Sequence, residues 1–413
     1  MITFEKYQLD NGLTVILHKD INTPIAAVNI AYNVGSRDEN PNRTGLAHLF
    51  EHLMFGGSKN IPKYDEPLQK VGGENNAFTN VDITNYYLTL PVQNLETAFW
   101  LESDRMNELA FSQKSLDVQR NVVIEEFKQS YLNQPYGDVA QLLKPLAYKV
   151  HPYQWNTIGK DISHIAETTM GEVREFFYTF YRPNNAVLSV AGNLDMDKTK
   201  QLIEKWFGDI PAGKPYLRNL PAEPLQTQAR RLEVERDVPL DCIYKVYKMG
   251  KRTDDDYYTV DLISDILSNG QSSRLQQNLV KNKQLFSSIN AYVSGTFDDG
   301  LFYVSGYPVP GVSLEQAEQV ILEELEKIKT EALDNYELEK VKNRVKTLLY
   351  YAELQVQDKA MNLAISEVMD NAARINEEEA RYNKVTTEDI LSSAKKLFRE
   401  ESCSTLYYKA KKE

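Results

Sequence analysis

Gly45-Leu46-Ala47-His48-Leu49-Phe50-Glu51-His52-Leu53-Met54-Phe55-Gly56-Gly57 is the stretch from which the fold is read. Leu46, Leu49, Phe50 and Leu53 recur at helical spacing, which predicts an amphipathic helix buried on one side and ended by the Gly56-Gly57 pair. His48 and His52 are one turn apart, so both imidazoles leave the same face, with Glu51 at the i+3 position from His48. Two neutral imidazoles and an adjacent carboxylate are what a water-activating zinc site requires. A lone histidine on an apolar face is usually a satisfied core residue. Here two of only five histidines share one turn with a glutamate, which favours chemistry over packing.

The rest of the composition bounds what surrounds this helix. A chain of 413 residues exceeds one ordinary core and is expected to hold two to four domains. Hydrophobic residues at 42% and charged residues at 26% are ordinary for a globular protein. A formal net charge of -12 excludes nucleic acid as the expected partner, because phosphate binding needs a basic surface, whereas basic or neutral peptides remain compatible. Cys242 and Cys403 are too few for a disulfide framework and lack the spacing of a zinc-cysteine site. Met1-Ile2-Thr3-Phe4-Glu5-Lys6 shows no basic segment followed by an apolar run, so a cytoplasmic location is expected, or a periplasmic one if a leader has been trimmed. No apolar stretch approaches membrane-spanning length.

Before the histidine helix, Leu13–Leu17 and Ile25–Tyr32 read as short β-branched strands, with His18 at the end of the first and expected at the surface. After it, Gly72-Gly73-Glu74-Asn75-Asn76-Ala77-Phe78-Thr79 leads into the alternating run Ile83–Leu90, a turn followed by a half-buried strand. Helices are expected over Leu95–Leu109 and from about Ser115 to Tyr131. The second contains Glu125 and Glu126, between which sequence spacing alone does not choose. His151 and His164 have no spaced partner and read as structural. A helix over Met170–Tyr181, a strand over Ala186–Asn193 and a helix over Asp197–Phe207 close this half.

Pro211, Gly213, Pro215, Pro221 and Pro224 then mark a linker, after which a repeat begins. Tyr32-x-x-Gly35-x-Arg37 recurs as Tyr247-x-x-Gly250-x-Arg252, and Thr168-Thr169 before a helix recurs as Thr386-Thr387. The order is the same on both sides, which predicts duplicated α+β domains. The second copy has no histidine, and its counterpart of the zinc helix, Asp261–Gly270, offers no metal site. Helices expected at Leu314–Glu331 and Tyr336–Gln357 should pack on the second sheet.

His48-x-x-Glu51-His52 is the inverted zincin motif, and together with Gly72-Gly73-x-x-Asn76-Ala77-x-Thr79 it resembles the pitrilysin or insulinase family of zinc peptidases. The resemblance implies two homologous α+β domains, each an antiparallel or mixed sheet with helices packed on it, forming half of a clamshell. The expected boundaries are 1–210 for the zinc-binding domain, 211–229 for the linker and 230–413 for the metal-free domain. The family's Glu-x-x-x-Val-x-x-Glu helix makes Glu126 the third ligand, after His48 and His52, of one Zn2+ per chain. Gln119 stands where the family often has a glutamate that orients a ligand, a departure expected to weaken the site without abolishing it. Glu51 becomes the general base, and Asn76 and Ala77 lie on the edge strand that pairs with extended substrate.

The family's arginine and tyrosine, seven residues apart after Ser272-Ser273-Arg274-Leu275, fall here on Val280 and Ser287, or on Lys281 and Ser288 one register over. Neither pair can do that work. The resemblance therefore implies a zinc endopeptidase subunit acting on peptides or unfolded segments. It would be completed in a dimer by a homologous subunit lacking the zinc motif. The alternative is a non-catalytic core or scaffold subunit of a processing-peptidase-like complex.

Overall fold

A computed structural model describes residues 1–411 of the chain. It contains two compact units, each built on one sheet with helices packed against it. The first comprises Met1–Gln129, Trp155–Leu220 and Tyr350–Glu377; the second comprises Ser130–Gln154, Pro221–Leu349 and the chain from Glu378. The units are therefore not the two sides of the proline-rich stretch. A segment of about one helix from each side of it belongs to the other unit.

The first sheet has the order β1-β2-β6-β3-β5-β4, with β1 Glu5–Gln8, β2 Thr14–Lys19, β3 Ile25–Tyr32, β4 Glu74–Thr79, β5 Thr84–Pro91 and β6 Ala186–Gly192. Only β2 and β6 run parallel, so the sheet is mixed, and β4 is a free edge. β6 is buried throughout and β3 from Ala26 on, because both faces of the sheet are covered. On one face the helix Val356–Met369 sets Ala360 against Ala27 and Ala191, and Leu363 and Ala364 against Ile16, Ala31 and Val187. Small residues on both sides bring helix and sheet close.

That helix corrects two expectations. The run expected over Tyr336–Gln357 ends at Ala352, a new helix starts at Val356, and the new helix packs on the first sheet instead of the second. His18 is also not at the surface: it is buried at 7% exposure, with Nδ1 2.6 Å from the Thr3 carbonyl oxygen. Side-chain alternation in a strand covered on both faces no longer distinguishes inside from outside.

The second sheet has the order β7-β11-β8-β10-β9, with β7 Arg230–Arg236, β8 Cys242–Lys248, β9 Phe286–Val293, β10 Leu301–Pro308 and β11 Cys403–Ala410. Its one parallel pair, β7 with β11, matches β2 with β6, so the two sheets share one topology. The helix Val139–Ala147 covers β7, β8 and β11, the counterpart of what Val356–Met369 does for the first sheet. The helix Leu314–Thr330 places Ala317, Ile321, Leu325 and Ile328 in this unit's core. The repeated threonines serve as N-caps: Thr169 and Thr386 each accept a backbone N–H from the third helical residue, Glu172 or Asp389, whose carboxylate reaches back. Among the described residues no helix is long and apolar enough to cross a membrane.

Candidate metal centre

The helix Leu46–Leu53 is held from both ends and from behind. Gly45, its N-cap, has φ +92°, and a Cβ there would lie 2.8 Å from the Ile158 carbonyl oxygen. Only glycine takes this conformation in this space without strain. The first turn's free N–H groups are met by Glu39, a carboxylate that spacing did not single out. Its Oε2 accepts from the Gly45 N–H at 3.0 Å and its Oε1 from the Ala47 N–H at 2.8 Å, while the Trp155 indole N–H donates to Oε2 at 3.0 Å. Behind the helix, Phe50 packs on Phe176 and Tyr181 with ring centroids 5.3 and 4.6 Å away. The side facing outward carries His48, Glu51 and His52.

The second helix of the site, Gln113–Phe127, is pinned by Leu116, Val123 and Phe127 in the core. It approaches the C-terminal end of the histidine helix closely enough that a Cβ on Gly56 would collide with the Ser115 hydroxyl. This rotation sends Glu126 to the histidines and Glu125 to solvent, where it pairs with Lys128 at 2.7 Å. The Nε2 atoms of His48 and His52 are 3.3 Å apart, and Glu126 Oε2 lies 3.6 Å from each. Among the described residues this is the one cluster of three side chains whose donor atoms could hold a metal ion.

The donor set fits zinc. Tetrahedral zinc with bonds of about 2.0–2.1 Å separates its ligands by roughly 3.3–3.4 Å, close to the spacing found. Burial pushes the His48 imidazole down to about 4 against the opposing pull of Glu126, and the hydrogen bond with His52 holds the Glu126 carboxyl below its usual range. At neutral pH His48 is thus neutral and Glu126 ionised, the forms a metal needs. His48 Nδ1 is buried without a hydrogen-bond partner. Gln119, half-buried seven residues before Glu126, forms no hydrogen bond to any of the three.

Glu51 faces the same opening. Burial raises its carboxyl above the usual range, and the hydrogen bond from Thr79 and the charge of His52 draw it back. The Thr79 hydroxyl donates to Glu51 Oε2 at 2.6 Å, a contact that joins the last residue of β4 to the histidine helix. Asn76 and Ala77 lie on the same free edge, paired inward to Tyr87 and Tyr86 of β5. Asn76 folds its Oδ1 onto the Ala77 N–H at 2.8 Å. Thr79 stood within the quoted motif, but sequence assigned it no role.

In the second unit the positions expected for the arginine and tyrosine carry other duties. Val280 packs on the core, Lys281 Nζ donates to the Gln271 carbonyl oxygen at 3.1 Å, and Ser287 Oγ donates to that of Tyr307 at 3.1 Å. Ser288 sits in β9 opposite Tyr307. His151 and His164 each accept a backbone N–H at Nδ1, from Tyr153 and Thr44.

Residues 14–160 match the insulinase peptidase family M16, and residues 168–345 match the peptidase M16 inactive domain. The zinc protease PqqE of Helicobacter pylori is 28% identical over 98% of this chain and 92% of its own. The beta subunit of the mitochondrial-processing peptidase of Saccharomyces cerevisiae is 25% identical over 93% of this chain and 86% of its own. A crystal structure of a protease from Helicobacter pylori superimposes with a TM-score of 0.93 at 28% identity, covering 99% of this chain and 100% of that one. Two α+β units of one topology, one of them bearing the inverted histidine motif, place this chain in the M16 insulinase family, among relatives named as zinc proteases.

Proposed function

We propose that this chain is the catalytic subunit of a zinc-dependent endopeptidase that cleaves peptides or unfolded segments. The convergence of His48, His52 and Glu126 from two helices, with Glu51 beside them, carries the reading. Those three side chains would hold one zinc ion per chain. Bound there, the ion supplies Lewis acidity to a water molecule and to a peptide carbonyl. Glu51 takes the proton released as the water attacks and returns it to the leaving amine nitrogen, acting as base and then as acid. Thr79 keeps one Glu51 oxygen in place and leaves lone pairs for that proton. The free edge of β4, with Asn76 and Ala77, holds extended substrate through main-chain hydrogen bonds, which suits peptides of many sequences.

The anionic intermediate needs donors beyond the metal. Val280, Ser287, Lys281 and Ser288 do not provide the arginine and tyrosine, so a homologous partner lacking the zinc motif supplies them in a dimer. A relative whose own name makes it a beta subunit supports such pairing. The free, buried thiols of Cys242 and Cys403 agree with a cytoplasmic setting.

The test is zinc content by mass spectrometry and cleavage of a fluorogenic peptide, with the chain alone and with a homologous subunit. Wild type should bind one zinc, His48→Ala should lose it, and Glu51→Gln should keep it while activity disappears. Activity of the complex that survives Glu51→Gln would instead make this chain the scaffold. Full activity of the isolated chain would rule out the need for a partner.

A further inference from the structure

The shared topology of the two sheets permits a position-by-position comparison, and one row breaks the likeness. Tyr32 of β3 corresponds to Tyr247 of β8, so Ile30 corresponds to Lys245. In the first sheet Leu188 lies opposite Ile30, and Val15 beside Leu188. In the second, Thr405 lies opposite Lys245, and Arg231 beside Thr405. The fifth residue of the helix after the next two strands is Phe99 in the first unit and Glu318 in the second. Val15, Leu188, Ile30 and Phe99 are all fully buried and apolar. The second unit replaces the four with arginine, threonine, lysine and glutamate.

The replacements meet one another. Lys245 donates to Glu318 Oε1 and, at 2.9 Å, to Thr405 Oγ1, while Arg231 and the Tyr407 hydroxyl each reach Glu318 Oε2 at 2.6 Å. Burying Lys245, Thr405 and Glu318 costs free energy, and the apolar row of the first unit shows that the fold itself does not require them. Two cations thus share the Glu318 carboxylate, and Glu315 also acts on the half-exposed Arg231. Beside it opens a cavity of about 510 Å³, walled by Leu322, Leu325 and Phe398, with Arg230, Lys329, Glu326 and the exposed Glu400 also lining it. A cationic floor, an apolar wall and an acidic rim define the chemistry of an occupant.

We propose that this cavity binds a small zwitterion, a free α-amino acid with an apolar side chain. Its carboxylate lies against Lys245 and Arg231, its side chain against Leu322 and Phe398, and its ammonium group toward Glu400. The site lies wholly within the second unit and does not depend on the metal centre.

Titration calorimetry on the full chain with L-leucine, L-leucinamide and 4-methylpentanoate tests this. Leucine should bind saturably, and leucinamide, which lacks the carboxylate, should bind more than about tenfold more weakly. 4-Methylpentanoate, which lacks the ammonium group, should also bind more weakly than leucine. Leu322→Trp, which fills the cavity from a partly exposed position, and Arg231→Met, at a half-exposed one, should each weaken leucine by about tenfold or more. No binding of leucine to the wild type, equal binding of leucinamide or 4-methylpentanoate, or leucine affinity unchanged in whichever of these variants folds would overturn the proposal.

Discussion

Thr79→Val isolates the link between the edge strand and the proposed base. The substitution exchanges a hydroxyl for a methyl group of similar shape at the end of β4, so the pairing with Thr84 should persist. What disappears is the 2.6 Å hydrogen bond to Glu51 Oε2. A hydrogen bond to a charged group contributes about 1.5–3 kcal/mol. If most of that serves to orient Glu51 in the transition state, kcat should fall roughly 10- to 100-fold, since about 1.4 kcal/mol corresponds to a factor of ten. KM should change little, because on the proposed reading the substrate main chain pairs with β4 and not with the threonine hydroxyl. Zinc content should stay at that of wild type, because no ligand is touched. Thr79→Ser restores the hydroxyl and should recover most of the loss. The measurement is steady-state cleavage of a fluorogenic peptide by the complete assembly, alongside metal analysis. An unchanged kcat in Thr79→Val, an effect confined to KM, or a serine variant no better than valine would refute the positioning argument.

Four further outcomes follow from the same geometry. Glu126→Ala should lower zinc affinity by more than roughly tenfold, while Glu125→Ala, which removes only a solvent-exposed pair with Lys128, should leave it unchanged in metal titrations. Glu39→Ala strands the Gly45 and Ala47 N–H donors, at about 1–3 kcal/mol each before relaxation, while Trp155 keeps its bond to the Ser36 carbonyl oxygen, and should lower the melting temperature of the first unit by several degrees or more in calorimetry. Gly45→Ala forces φ +92° on a residue with a Cβ and should cost about 1–2 kcal/mol even before the contact with Ile158, again read by calorimetry. Although burial opposes it, the bonds from Lys245, Tyr407 and Arg231 hold the Glu318 carboxyl down to about 2. Because the folded value is depressed, this contribution is present above the ordinary value of 4.5 and fades as pH falls toward 2. Glu318→Gln should therefore flatten the acid limb of the stability curve in that window.

The sequence by itself determined whatever depends on local periodicity. His52 and Glu51 lie on the His48 side of the helix because they follow it by four and three residues, a spacing that helix geometry alone turns to one side. The threonine caps at Thr169 and Thr386, each with an acidic residue three positions on, are likewise written in short segments. Only the tertiary structure decided what depends on how distant segments meet. Glu126 reaches the histidines and Glu125 does not because Val123 and Phe127 fix the rotation of their helix against the core. Glu39 caps the histidine helix from six residues before Gly45, across a loop that carries no periodic signal. The helices Val139–Ala147 and Val356–Met369 cover sheets built mainly from the opposite side of the proline-rich stretch, because an amphipathic helix records that it must be buried, not against which sheet.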